Sequence, residues 1–333
     1  MKTLWRELID YARWTASPHN VQAWQVRVIS ETEAELLYVP QRLLPHTDST
    51  GCFTMVGFGM FVENLSIAAT PHGFKVKADY YGVSLDSRKS SPVPLAKLTL
   101  LPVTEKEALG RDLILKRRTS RLSYDDKAVD DKVLGELSAM AKEYGHIFTF
   151  SKDPVLVKWV MNLNRDTLFY DMAEKESRDE IGRLLRFSQS EAKTKKDGLW
   201  AYCMNFPGWL MYLFFRFEWF FELPLINSLS HFYYMKTMNG VRTVGWIQGP
   251  FQTPDQWLKS GHMFARLWLV MTKYGVYLHP FGSIITNEKA HDRLREKFKV
   301  DESKDILWLI MRLGYSKEPP RSFRLETDDI LIF

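Results

Sequence analysis

Lys116-Arg117-Arg118-Thr119-Ser120-Arg121 places four cations, a threonine and a serine within six residues. Guanidinium forks grip phosphate oxygens two at a time, and hydroxyls add donors, so the stretch reads as a clamp for a dianionic phosphate monoester. Taken alone, it reads more readily as a solvated basic helix end, which suits the negative pole of a helix dipole. Upstream, Thr104-Glu105-Lys106-Glu107 has the form of a capping box, and Ala108, Leu109, Leu113 and Leu115 supply an apolar side. The pattern predicts a helix from about 105 to 118, with the cations coming off its end.

The 333 residues are 45% apolar and 26% charged, the balance of a folded chain with a large core or two domains. Basic and acidic residues number 45 and 40 and are well mixed, for a net charge of +5. That evenness argues against nucleic acid and for a small phosphate-bearing ligand. Cys52 and Cys203 lack motif spacing and read as ordinary apolar thiols of a reduced, cytoplasmic protein. The first residues, through Glu7, are charged too early for a secretory signal. No metal-ligand cluster, nucleophile triad or glycine-rich dinucleotide loop is legible.

Along the chain, Leu4, Leu8 and Tyr11 predict an amphipathic helix over 3–15 that ends at the turn-rich Ala16-Ser17-Pro18-His19-Asn20. Residues 24–28 and 34–39 read as a hairpin, 54–71 as a long apolar helix, and 74–81 and 94–103 as strands. Beyond the clamp, helices are expected at 131–144, from Pro154 to about 188, at 254–274 and at 286–298. Strands are expected at 147–151, 241–248 and 305–314, a lysine-rich loop at 193–197, and an extended tail to Phe333.

Two of these helices match at a fixed offset: Gly59 with Gly261, Leu65 with Leu267, Ile67 with Leu269, Gly73 with Gly275. Each is followed by strands. The match predicts two similar α+β halves, 1–103 and 104–333, the second carrying an aromatic-rich insertion at about 189–240. Each half would hold a central mixed or antiparallel sheet flanked by helices, and the pair would imitate a homodimer on one chain.

Three motifs resemble those of FMN-dependent nitroreductases. Ala16-Ser17-Pro18-His19-Asn20-Val21-Gln22-Ala23-Trp24 resembles the family's Pro-Ser-x-x-Asn-x-Gln-Pro-Trp signature. Arg117-Arg118-Thr119-Ser120-Arg121 resembles its Arg-Arg-Ser-x-Arg phosphate motif, and Leu309-Ile310-Met311-Arg312-Leu313-Gly314-Tyr315 its final strand. The motif order, the length and the loop Arg42-x-Leu44-Pro45-x-x-Asp48-x-x-Gly51 are similar to the fused single-chain, Acg-like branch.

The resemblance implies one FMN per chain, held by Arg117, Arg118, Thr119 and Arg121 at the phosphate, with Arg321 or Arg324 completing that shell. Ser17, Pro18, His19, Asn20 and Gln22 would approach the flavin ring, with fixing the loop the alternative role for Gln22 and the core the place of Trp24. Pro280-Phe281-Gly282-Ser283 occupies the place of the family's Pro-x-Glu-Gly loop, whose backbone would donate to flavin N5; the family's glutamate is absent. His19 and His279 are weak proton-donor candidates beside ordinary structural roles, since hydride transfer through N5 needs no protein acid or base.

Trp209–Phe221 is apolar on almost every side but carries Arg216 and Glu218 and is too short to span a bilayer. Three readings compete: a lid over the flavin that binds a hydrophobic or aromatic substrate through Trp209, Tyr212 and Phe215; plain core or self-association; and peripheral membrane contact aided by Lys193, Lys195 and Lys196. The expected activity is hydride transfer to or from a hydrophobic small molecule with NAD(P)H as a donor, by a monomeric pseudo-dimer or a homodimer. Flavin storage with little turnover is the alternative, and a membrane-associated scaffold without flavin a distant third.

Overall fold

Cys52–Ala69 (α2) is apolar on every side, so it forms a helix buried on every side. In the computed structural model, which describes residues 3–104, 107–217 and 223–332, fourteen of its eighteen residues are buried. Cys52–His72 is, among the described residues, the one segment long and apolar enough to cross a membrane, and 78% of its apolar window is buried inside the protein.

Around α2 stand α1 (Thr3–Ala12), β1 (Trp24–Val28), β2 (Glu33–Tyr38), β3 (Phe74–Tyr80), β4 (Val93–Pro102) and α3 (Asp112–Lys116). Then follow α4 (Asp131–Glu143), β5 (Ile147–Ser151), α5 (Pro154–Ala173), α6 (Lys175–Leu184), β6 (Leu185–Arg186), α7 (Gln189–Lys195) and β7 (Leu199–Trp200). The chain continues through α8 (Gly208–Arg216), α9 (Pro224–Thr237), β8 (Thr243–Gly249), α10 (Pro254–Lys273) and β9 (Tyr277–Pro280). It closes with α11 (Gly282–Thr286), α12 (Glu288–Phe298), β10 (Ile306–Gly314), α13 (Thr327–Ile330) and β11 (Leu331–Ile332).

The chain divides into two compact units interleaved in sequence: 1–117 with 251–270 and 323–333, and 118–250 with 271–322. The first contains a five-stranded sheet ordered β11-β1-β2-β4-β3, antiparallel except where β11 joins β1 in parallel. The second contains an antiparallel sheet ordered β5-β8-β10-β9 and the two-stranded β6-β7 ribbon. The four antiparallel strands of each main sheet run in the same order, first-second-fourth-third, with a long helix between the second and third.

Within the first unit, those corresponding helices, α2 and α10, cross at Gly59 and Gly261. A Cβ on Gly59 would lie 3.0 Å from the Gly261 Cα and inside the envelope of the Leu258 carbonyl. One on Gly261 would lie 2.9 Å from the Gly59 Cα and clash with the Val56 carbonyl. Beside the crossing, Arg266 donates to Glu63 (2.7 Å) and bridges Glu107 through two hydrogen bonds (2.8 and 3.0 Å). His262 joins Glu63 to the Tyr80 hydroxyl, 2.9 Å on each side. Burial pushes the Glu63 carboxyl upward, but His262 and Arg266 outweigh it and hold the group below its ordinary value.

Several boundaries depart from the sequence reading. The helix expected over 105–118 is confined to Asp112–Lys116; 105 and 106 lie outside the described residues. Glu107 does not serve a capping box; its carboxylate accepts the Leu109 N–H and pairs with Arg266, and Gly110 interrupts the helical run. Lys193 and Lys195 sit in the last turn of α7, where a loop was expected, because Ser188 caps that helix by accepting from the Glu191 N–H. The helix expected at 286–298 is α12 and starts two residues later, at Glu288, because Asn287 caps it by accepting the Ala290 N–H; the short α11 precedes it. The tail is not merely extended: Glu326 and Asp329 cap α13 reciprocally, and Leu331 and Ile332 then pair with Val26 and Arg27. Part of the aromatic stretch, 218–222, lies outside the described residues.

Candidate cofactor site

In the first unit, the Ser17–Gln22 loop leaves ordinary backbone space. His19, Asn20 and Gln22 have φ of 45°, 59° and 50°, a left-handed region that non-glycine residues occupy at a cost. The loop is over-determined by hydrogen bonds. Gln22 donates its backbone N–H to Ser17 Oγ (3.0 Å) and its amide to the Asn20 carbonyl (3.2 Å), while its Oε1 accepts the Leu325 N–H (2.9 Å). Asn20 Nδ2 donates to the Phe323 carbonyl (3.2 Å), and Arg42 reaches the Val21 and Gln22 carbonyls (3.4 Å each). Gln22 is fully buried, which makes it the loop's fixing post. Trp24 stacks on Phe61 (4.8 Å) in the core.

Arg117 also belongs to this unit. It is buried, donates to the Trp14 carbonyl (2.9 Å), and lies 4.4 Å over the Trp268 ring. Arg6 and Arg13 are both spoken for by carboxylates, Arg6 by Asp328 and Arg13 by Asp10 and Glu326. Arg324 lies half-buried in the same unit's tail; Arg321 falls in the second unit.

In the second unit, the clamp residues 119–121 run beside β9: Thr119 bridges Leu278 in parallel, and the Ser120 N–H donates to the Leu278 carbonyl (3.1 Å). Arg118 faces Glu318 at 3.5 Å. Arg312, fully buried on β10, donates to three carbonyls: Ser120 and Leu122 of the clamp (3.1 Å each) and Thr237 at the end of α9 (2.7 Å). Its guanidinium also lies 4.5 Å over Tyr124. The sequence shows Arg312 as the arginine of the final-strand motif but not the carbonyls that it holds. Arg312→Lys keeps the charge but cannot reach three carbonyls, so it is expected to cost about 3 kcal/mol in urea unfolding.

Arg121, Arg312 and His279 form a cation-rich cluster with Tyr124, Tyr234 and Cys203 as its other electrostatic neighbours. Among the described residues, no carboxylate pairs with any of the three. His279 is buried, and its Nδ1 has no hydrogen-bond partner among the described residues. Burial above all, then the positive charge of Arg121 and Arg312, holds the imidazole well below 6.5. The unfolded chain takes a proton here that the folded one refuses, so stability is expected to fall as pH drops through about 6.5. His279→Gln should reduce that acid-side loss, read as urea midpoints across the range.

Pro280–Ser283 joins β9 to α11. The Phe281 ring is buried in the core, and its N–H is taken by the Ile310 carbonyl (2.9 Å), which leaves the N–H groups of Gly282 and Ser283 as the loop's candidate donors. A Cβ on Gly282 would meet nothing within 4 Å. Behind the loop, Asp171 accepts from Asn287 Nδ2 (2.8 Å) and from Ser283, and burial raises its carboxyl above the ordinary range. The sequence reading missed Asp171, which lies on a helix far from any motif.

The insertion reaches the clamp as well. Asn205 donates to the Arg121 carbonyl (3.3 Å), and Tyr233 donates to the Asn205 carbonyl (3.1 Å). Trp209 and Tyr212 are exposed and line a groove of about 520 Å³ with Phe187, Ser188, Gly208 and Leu213. Phe215 instead packs against the small core of Leu185, Ala201 and Met211.

No family model matches the chain. Its sequence is similar to that of "Probable NAD(P)H nitroreductase PigM" from Serratia sp., with 22% identity over 317 residues, 88% of this chain and 83% of that one. Among solved structures, it is similar to the FMN-dependent nitroreductase NfnB from Mycobacterium smegmatis in complex with NADPH (15% identity, TM-score 0.40, 66% of this chain and 96% of that chain). It is also similar to a nitroreductase with bound FMN from Bacteroides fragilis (12% identity, TM-score 0.39, 68% and 100%).

Proposed function

We propose that the chain belongs to the nitroreductase family, as its likeness to PigM supports, and that it is an FMN-dependent oxidoreductase that holds one flavin per chain and is reduced by NAD(P)H. The observation that carries the reading is the cluster of half-buried Arg121 with buried Arg312 and His279, with no carboxylate partner among the described residues. A donor set of that kind fits a phosphate dianion, and an unpaired buried cation is otherwise costly.

Arg121 and Thr119 would hold the phosphate, with Arg118 and Arg321 around it. In the first unit, Asn20 and the strained loop around it offer the kind of side-chain amide and backbone that suit a flavin ring's polar edge. Gly282 and Ser283 would offer backbone N–H groups toward N5. FMN, once bound, supplies hydride chemistry at that atom. Arg312 holds the clamp strand in register, and Gln22 holds the Asn20 loop. His279, being neutral, can share a proton with a phosphate oxygen. A hydrophobic or aromatic substrate suits the groove at Trp209 and Tyr212, with Phe215 behind it. The PigM likeness supports turnover over storage.

We also infer that the chain is two fused repeats. The shared strand order and the Gly59–Gly261 crossing of corresponding helices support this. A second site related by the repeat would need an arginine motif before residue 16, where the chain offers only Arg6 and Arg13, and both are engaged by carboxylates. Purified protein is therefore expected to carry one FMN per chain, measured by absorbance after denaturation; two would overturn the asymmetric site. Stopped-flow mixing with NADPH or NADH should bleach the flavin within seconds. Bleaching over hours would instead leave storage as the function.

A further inference from the structure

α9 packs Tyr234 and Met235 against the core and buries Ser230 and Thr237, but Leu225 (71% exposed), Leu229 (54%) and Phe232 (62%) project to solvent at helical spacing, followed by Lys236. α8 turns Trp209 (69% exposed), Tyr212 and Arg216 outward in the same manner, with Met211 and Phe214 on its inner face. The two helices are joined through Phe206, which packs on Phe214 (5.7 Å) and on Tyr233 (5.3 Å). A soluble helix ordinarily turns a polar face outward, and an apolar stripe this continuous marks a surface that something covers.

The charges around it identify the covering. Lys193 and Lys195 are exposed in the last turn of α7, which Phe187 links to Tyr212 (5.4 Å). Arg216 lies over the Phe217 ring and Lys236 over the Phe232 ring, so each outward stripe ends in a cation. None of these four makes an ion pair among the described residues. The acids described in this stretch are consumed internally: Glu191 accepts the Phe187 N–H (2.8 Å), and Asp197 pairs with Arg186 (2.6 Å). Glu218 and Glu222 lie outside the described residues. Exposed Trp, Tyr, Phe and Leu with a cationic rim that no described acid pairs match the interface of an anionic lipid bilayer, where aromatic rings sit at headgroup level and lysines meet phosphates.

We propose that α7, α8 and α9 form a lipid-binding face that seats the protein peripherally on an anionic membrane. The proposal does not depend on the flavin.

The test is flotation of the full-length flavin-loaded protein with phosphatidylcholine vesicles, with and without phosphatidylglycerol, at low and physiological salt. Binding is expected to vesicles containing phosphatidylglycerol and to weaken as salt rises. Leu225→Asp/Phe232→Asp should abolish it, with flavin content and circular dichroism unchanged because both positions are exposed. Lys193→Glu/Lys195→Glu should lower binding to anionic vesicles by about tenfold or more and leave the weak binding to neutral ones. Failure of the unmodified protein to float with either vesicle at low salt would overturn the proposal. So would undiminished flotation of the Leu225/Phe232 variant. A concentration-dependent dimer that the same variant dissolves would show that a second copy covers the face instead.

Discussion

Arg121→Ala is expected to weaken FMN binding by about tenfold to a hundredfold, the loss of a charge-assisted phosphate contact. Riboflavin, which lacks the phosphate, should bind the variant and the parent alike. That contrast separates a clamp from general damage to the pocket. Arg121 sits half-buried; burial, and then the opposing charge of Arg312, lowers its guanidinium below the ordinary value. Removing it relieves repulsion in the flavin-free protein. The urea midpoint of the apo-variant should therefore stay level or rise while affinity for FMN falls. A variant that retains FMN tightly would move the phosphate to another part of the chain.

Gly59→Ala should have the larger effect on stability. The added methyl would press on the Leu258 carbonyl and the Gly261 backbone, neither of which can rotate away as a side chain would. The helices must separate or bend, at an expected cost of about 3 kcal/mol or more. The same substitution at Gly135, in α4, meets nothing within 4 Å and should gain up to about 1 kcal/mol from helix propensity. Urea unfolding of the pair gives the comparison. Equal midpoints would mean that the crossing has slack.

The sequence carried this crossing in a particular way. Gly59 and Gly261 stood out as matched positions of a repeat, yet nothing in a one-dimensional match says that matched residues touch. The strands read well because alternation and turn residues are local properties. Trp24 through Val28 and Glu33 through Tyr38 needed no information from elsewhere in the chain. What depended on distant partners did not read. Glu107 looked like a helix cap because its true partner, Arg266, lies far along the chain. Leu331 and Ile332 are too few to show a strand pattern, and they become one only beside β1. Arg312 reads as part of a motif, but its three carbonyl acceptors come from segments that only the fold assembles. The left-handed backbone at His19, Asn20 and Gln22 had no glycine to announce it.

The last eleven residues have a consequence for how the protein is made. The first unit takes its pieces from 1–117, 251–270 and 323–333, and its sheet is finished only when β11 pairs with β1. Translation delivers residues in order, at about 5–20 per second. The Asn20 loop, two of whose hydrogen bonds come from Phe323 and Leu325, therefore waits until the chain has been made as far as Leu325. It is made before the whole of the second unit and locked only after it. During that interval the first unit's apolar helix, α2, lacks α10 as well, and a nascent chain with its main core helix uncovered is a natural client for a ribosome-associated chaperone.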